Sequence, residues 1–141
     1  MIMKYSLLLF LLVSCGSSKN NCSNFKKGFF ELYQENQLVN FIERDEEFQI
    51  DYTIDSLKSI DAISYINWKD DCNFELFEIK DKREDNNPVI IKINEIKNDT
   101  ALINARVTIS KAPIKNFKYK YIKINKKLSA KFFKIKDSIE R

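Results

Sequence analysis

Three cysteines carry the most specific chemistry of this 141-residue chain. Cys15 ends the run Leu12-Val13-Ser14-Cys15, behind a basic residue, Lys4, and an apolar stretch from Leu7 to Val13. The pattern is that of a bacterial lipoprotein signal, cut before Cys15 and lipidated on its sulfur. Ser14 is small, as the peptidase requires, and Leu12 fills the position three before the Cys. The stretch is too short to cross a bilayer as a helix, which takes about 20 residues. An ordinary secretory signal with a chance Cys is the plainer alternative. With Cys15 assigned to lipid, Cys22 and Cys72 remain in an oxidising compartment, where pairing is the default and two free thiols the alternative. A bridge between them closes a loop of about 50 residues, worth on the order of 4 kcal/mol in the chain-entropy account.

Little else in the chain points to a reaction. There is no His, which removes the commonest general base, the commonest metal ligand and every Ser–His or Cys–His mechanism. Two cysteines without His make a poor zinc site. The two glycines, Gly16 and Gly28, build no phosphate-binding loop. Asp70-Asp71 and Glu84-Asp85 pair carboxylates, but adjacent acids in turns are usually solvated, and a glycosidase dyad or a calcium site is the minority reading. The expectation is no catalytic residue, no metal and no cofactor.

The charge is lopsided. From Val89 onward the chain has 14 Lys/Arg and 4 Asp/Glu; before it, 10 and 16. The basic half interleaves Lys with aromatic residues, so Lys118, Lys120, Lys123, Lys131 and Lys134 form a candidate surface for an anionic partner such as phospholipid headgroups. The same residues suit nucleic acid, a ligand that an anchored envelope protein rarely meets, so none is expected. The plainer reading is the wet face of a sheet, where Lys also guards edge strands.

The elements that must position these residues are strands. Phe48, Ile50, Tyr52 and Ile54 alternate with Glu47, Gln49, Asp51 and Thr53; Ala101 to Ile109 alternates in the same way. Such alternation predicts strands with one buried and one wet face. Weaker alternation predicts further strands over Gly28–Gln34, Gln37–Arg44, Ile60–Trp68, Asn73–Lys80, Val89–Ile96, Phe117–Ile124 and Ala130–Lys136. The parity change within Tyr119–Ile124 reads as a bulge. Turn formers separate the runs, among them Asn36, Asn98-Asp99 and Asn125-Lys126. No long helix is favoured, and Leu57–Ile63 reads as a loop leading into a strand. The charged segment Lys80–Asn87 is the expected proteolytic site. Eleven Phe, six Tyr and one Trp supply a core and argue against disorder. The fold class is therefore all-β: an antiparallel meander of about eight or nine strands, closed as a small lipocalin-like barrel or alternatively folded as a β-sandwich.

Cys22-Ser23-Asn24-Phe25, Gly28-Phe29-Phe30, Arg44, Phe48-Gln49-Ile50 and Trp68-Lys69-Asp70-Asp71-Cys72-Asn73-Phe74 form a pattern in the first half. It resembles a family of small lipoproteins and secreted proteins of Bacteroidota. The resemblance spans Cys22 to Leu76 and implies a small β-fold with a disulfide; it supplies no catalytic residue. Read on their own chemistry, Gly28 serves a tight turn or a close backbone approach, Trp68 packs over the bridge, and Arg44 is most simply part of a solvated cluster with Asp45, Glu46 and Glu47, a ligand site being the minority reading.

The expected organisation is a cleaved signal over 1–14, a lipidated Cys and flexible polar tether over 15–21, one β-domain over 22–136 and a tail over 137–141. No Asp follows Cys15 directly and the tether lacks acids, which favours the outer membrane, periplasmic side. The expected activity is a lipid-anchored, non-catalytic binding or interaction module of the cell envelope for a small apolar or anionic ligand, held in the barrel interior if the sheet closes. The alternative is a structural accessory subunit of an envelope protein complex.

Overall fold

The computed structural model describes residues 21–55, 59–80, 83–84, 87–107 and 115–141. The signal, Cys15, most of the tether, Leu57, Asp85, Thr108, Ile109 and Ser110 lie outside the described residues. After a 3-10 turn at Cys22–Phe25 come strands β1 (Gly28–Gln34), β2 (Gln37–Arg44), β3 (Phe48–Thr53), β4 (Ile60–Trp68), β5 (Asn73–Lys80), the two-residue β6 (Arg83–Glu84), β7 (Val89–Lys97), β8 (Thr100–Val107) and β9 (Lys115–Ile124), then helix α1 (Ala130–Ile139).

Each strand pairs antiparallel with its neighbour in the chain. β6 is only a stub on β5, and β7 takes its place beside β5. The pairing of β1 with β9 joins the ends of the meander. The result is a closed eight-stranded barrel, in which each of the eight strands has a neighbour on both sides. The sandwich alternative is excluded by this closure. Asn36 and Asn98 take the left-handed conformation expected of turn formers, with φ of 63° and 54°.

The barrel has two apolar sides, and this is why it carries a helix. Inward-facing residues, among them Phe30, Ile42, Phe74, Ile91, Ile103 and Tyr121, form the main core. Phe48, Ile50 and Tyr52 face outward from β3 and form a second core with Phe41, Ile63, Tyr65 and the α1 residues Phe132, Ile135 and Ile139. The alternation expected on β3 is present with its faces exchanged: the apolar side is outside, under the helix, and Gln49 and Asp51 point inward. Ile54 lies beyond the strand and is half exposed.

Three local expectations are corrected. Ala130–Lys136 is helix, because Ser129 caps it by accepting from the Phe132 amide and because the second core rewards one helical stripe. α1 continues to Ile139, which packs in that core, so the domain includes part of the expected tail. β9 keeps an unbroken register with β8; the bulges fall at Leu32/Tyr33, Asp51/Tyr52 and Ile93/Glu95. The parity change on β9 arises because Tyr121 packs inward whereas Ile122 pairs with Glu31 on the outer side.

One end of the barrel is plugged. Cys22 and Phe25 are buried there, Phe25 stacks on Phe30 at 5.8 Å, and Cys22 is disulfide-bonded to Cys72 in the β4–β5 turn. Trp68 packs on Phe74 at 4.3 Å beside this bridge, and its indole N–H donates to the Glu46 carbonyl. Gly28 opens β1 at φ +144°, where an added Cβ would stand 2.9 Å from Lys123 Cε. The backbone angle requires glycine there, whereas the flexible end of Lys123 could move aside.

Candidate functional site

Above the plug the lumen is not filled. A cavity of about 210 Å³ is lined by apolar side chains of six strands, including Leu76, Ile91, Ile103, Ala105 and Phe117, by the phenol rings of Tyr119 and Tyr121, and by an amide and a carboxylate, Gln49 and Asp51. The last two come from β3, whose outward face is committed to α1. The strand's polar parity therefore has only the barrel interior to enter.

Asp51 belongs to a polar chain that runs from the plug to the cavity. Arg44 Nη1 donates to the Phe25 carbonyl at 3.0 Å and its Nε donates to Gln49 Oε1 at 2.7 Å. Gln49 Nε2 in turn donates to Asp51 Oδ1 at 2.8 Å. Arg44 is fully buried, not solvated as the acids around it in sequence imply. Its guanidinium carbon lies 4.8–5.1 Å from the ring centres of Phe30, Phe74 and Tyr121. Nη2 has no hydrogen-bond partner among the described residues; the three π faces supply the attraction that a carboxylate would otherwise give.

Burial pushes the Asp51 carboxyl up to about 6. The Gln49 bond and the Arg44 charge oppose that rise, and the negative charges of Asp61 and Glu78 add to it. Asp61 accepts from Asn40 Nδ2 at 3.1 Å. Glu78 pairs through Ser64 with Gln49 across β5, β4 and β3, and its 40% exposed side chain meets Lys80 at 3.4 Å. Tyr121, also on the cavity wall, has its hydroxyl held up chiefly by burial.

A second polar cluster lies outside the barrel. Glu43 is buried and accepts from the Tyr52 hydroxyl at 2.6 Å, from the Ser129 amide at 2.8 Å and from the Ser129 hydroxyl at 2.9 Å. Burial and then the Glu43 bond hold the Tyr52 hydroxyl well above the usual phenol range. Further along, Lys136 bridges Asp45 at 2.8 Å and Glu47 at 2.9 Å. These contacts clamp α1 onto the barrel wall and present no free nucleophile or base.

The residues singled out from sequence are dispersed. Cys22 and Cys72 form the bridge in the plug. Lys118 and Lys120 lie on β9, Lys120 over the Tyr33 ring at 5.3 Å. Lys123 lies at the plugged end, where its ammonium donates to the Asn24 carbonyl. Lys131 and Lys134 are on α1, Lys131 over the Tyr52 ring at 5.2 Å. The five lysines therefore occupy three places. Asp70 accepts from the amides of Cys72 and Asn73, which hold its carboxyl below the usual range, and Asp71 pairs with Lys26 at 2.8 Å. Asp70 thus shapes the β4–β5 turn, and Asp71 ties that turn to the residue after the 3-10 turn. Among the described residues no group of three or more His, Cys, Asp or Glu is placed to hold a metal ion. Sequence reasoning held Arg44 at a ligand site only as a minority reading and missed Gln49 and Asp51. The available signal was the run of large apolar residues opposite them, Phe48, Ile50 and Tyr52, which needs a cover if the barrel interior is occupied by other strands' side chains.

No protein-family model, curated protein or solved structure matches this chain.

Proposed function

We propose that this protein is a lipid-anchored, non-catalytic binding module of the cell envelope that holds a small, largely apolar ligand in its barrel. The observation that carries this reading is the roughly 210 Å³ apolar cavity whose wall, among the described residues, has Gln49 and Asp51 as its only amide and carboxylate groups. That volume lies between the ~150 Å³ of a cavity that accepts benzene and the ~300 Å³ lower bound of common ligand pockets. A ligand with one ring or a short branched chain fits it. The anchor rests on Leu12-Val13-Ser14-Cys15. Two or more acyl chains, at about 0.8 kcal/mol per buried CH₂, hold a protein on a membrane durably.

Two measurements test the two halves. Native mass spectrometry of the full-length protein, released from membranes in mild detergent, should find a small molecule bound. Ala105→Phe, which projects a ring into the lumen, should eliminate it. A ligand-free wild type across repeated preparations defeats the lumen reading. Cys15→Ala should lose both fatty-acid labelling and membrane retention; unchanged labelling defeats the anchor.

A further inference from the structure

We infer that the ligand of this lumen is a small apolar amine, seated with its ammonium on Asp51 and its hydrocarbon part against Ile91, Ile103, Ala105 and Phe117. This deepens the lumen-binding reading and rests on it.

The argument is one of unequal charge around an apolar space. Among the described residues the cavity wall offers a ligand hydrocarbon surface except at Gln49, Asp51 and the phenol rings of Tyr119 and Tyr121. Gln49 has both ends of its amide engaged, accepting from Arg44 and donating to Asp51. Asp51 has one oxygen on Gln49, and it faces the cavity. The formal charges that act on Asp51 are Arg44 from β2, Asp61 from β4 and Glu78 from β5, with the hydroxyls of Tyr119 and Tyr121 on the cavity wall from β9. The single cation of that set is buried behind Gln49, tied to the Phe25 carbonyl and enclosed by three rings. What a ligand meets is therefore the Asp51 carboxylate, with Asp61 adding negative charge from β4 and Glu78, itself paired with Lys80 at 3.4 Å, adding less from β5. Electrostatic complementarity then selects a cation and rejects an anion. A neutral ligand covers the half-buried Asp51 carboxylate and leaves it with the Gln49 amide but no countercharge, which is costly. The shift of the Asp51 carboxyl to about 6 agrees with this: the empty site strains its charged form, and an ammonium relieves it.

Three compounds of nearly equal size separate the possibilities: 2-phenylethylamine, 2-phenylethanol and 3-phenylpropionate, titrated into the purified disulfide-intact protein and followed by NMR shifts of lumen methyl groups. At pH 7.5 the amine should bind at least about tenfold more tightly than the alcohol, the scale on which a hydrogen bond to a charged group discriminates, and the carboxylate should bind most weakly. Asp51→Asn keeps an acceptor for Gln49. It should bring the amine down to the level of the alcohol, whose binding is retained and reports that the lumen is intact. The wild-type preference for the amine should shrink as pH falls below about 6, and Asp51→Asn should lack that dependence. Equal or tighter binding of the alcohol or the carboxylate, or an amine preference untouched by Asp51→Asn, overturns the amine assignment while leaving a lumen that binds. Failure of all three compounds to shift any lumen methyl overturns the lumen reading and this inference with it.

Discussion

Arg44 is held in the interior without direct contact to a carboxylate among the described residues. Its compensation is distributed over the Phe25 carbonyl, the Gln49 amide and three aromatic faces. A planar guanidinium can satisfy this set because two of its nitrogens donate in fixed directions while its plane stacks on rings. A lysine ammonium cannot span the two acceptors and stack as well. Arg44→Lys should therefore cost about 2–4 kcal/mol in urea unfolding; a loss under ~0.5 kcal/mol would mean that the cage is not what fixes the residue. Asp51 gives the opposite sign. Its folded carboxyl, at about 6, lies above the unfolded value of 3.8. The folded state thus holds the proton more tightly. The stabilisation from that proton is fully present below about pH 4 and is lost as pH rises through about 6. At most it amounts to about 3 kcal/mol. Asp51→Asn should flatten the fall in urea midpoint between pH 4 and 7 and stand above wild type at pH 7.5. Asp45 works in the other direction: with hydrogen bonds from Lys136 and the amides of Glu47 and Phe48, its carboxyl is lowered. Its contribution is present at neutral pH and disappears only as pH falls below 3.8.

At the level of elements, β3 and α1 form a pair that neither sequence segment reveals alone. Strand positions were legible because alternation and turn residues coincide: Gly28–Gln34, Gln37–Arg44, Ile60–Trp68 and Asn73–Lys80 run as expected. Which face is inside was not legible for β3. A barrel with a helix on its outer wall gives some strands two covered sides, and alternation reports period rather than direction. The helix was hidden for a related reason. Ala130–Lys136 alternates tolerably, while the spacing of Leu128, Phe132, Ile135 and Ile139 fits a helical stripe behind the Ser129 cap. Only the apolar outer surface of β3 decides between them. The lumen acid was illegible for the same cause, since reading Phe48, Ile50 and Tyr52 as core sent Gln49 and Asp51 to solvent. The cost of removing the cover is measurable. Phe132 is fully buried against Phe48, Ile50 and Tyr52, so Phe132→Ala should lose about 3–5 kcal/mol. Ser129→Ala removes the cap and the hydroxyl bond to Glu43, a loss of about 1–2 kcal/mol. Urea unfolding of the two variants checks the order; an equal or larger loss for Ser129→Ala would place the weight on the polar clamp rather than on packing.

For the whole molecule, the question is what the disulfide adds to a sheet that already closes on itself. The β4–β5 and β1–β9 pairings complete the ring by backbone hydrogen bonds, and neither needs sulfur. The bridge instead fastens the 3-10 turn, the first described structure after the polar segment, to the β4–β5 turn 50 residues away. It acts on two things at once. In the unfolded chain it removes the entropy of a 50-residue loop, worth about 4 kcal/mol in the chain-entropy account. In the folded chain it keeps Phe25 under Phe30, and with it the Phe25 carbonyl that receives Arg44. Cys22→Ser with Cys72→Ser should therefore remain a folded barrel, less stable than wild type by about 2–4 kcal/mol. Its loss should be uneven: amide exchange rises first at Cys22–Phe25 and at Arg44, while β7, β8 and β9 keep their protection. Because Arg44 tilts the charge around Asp51 through Gln49, loosening the plug should also change the lumen, weakening discrimination between 2-phenylethylamine and 2-phenylethanol rather than abolishing binding. Uniform loss of exchange protection across all strands would show instead that the bridge holds the ring, and that closure by hydrogen bonds alone is insufficient for this chain.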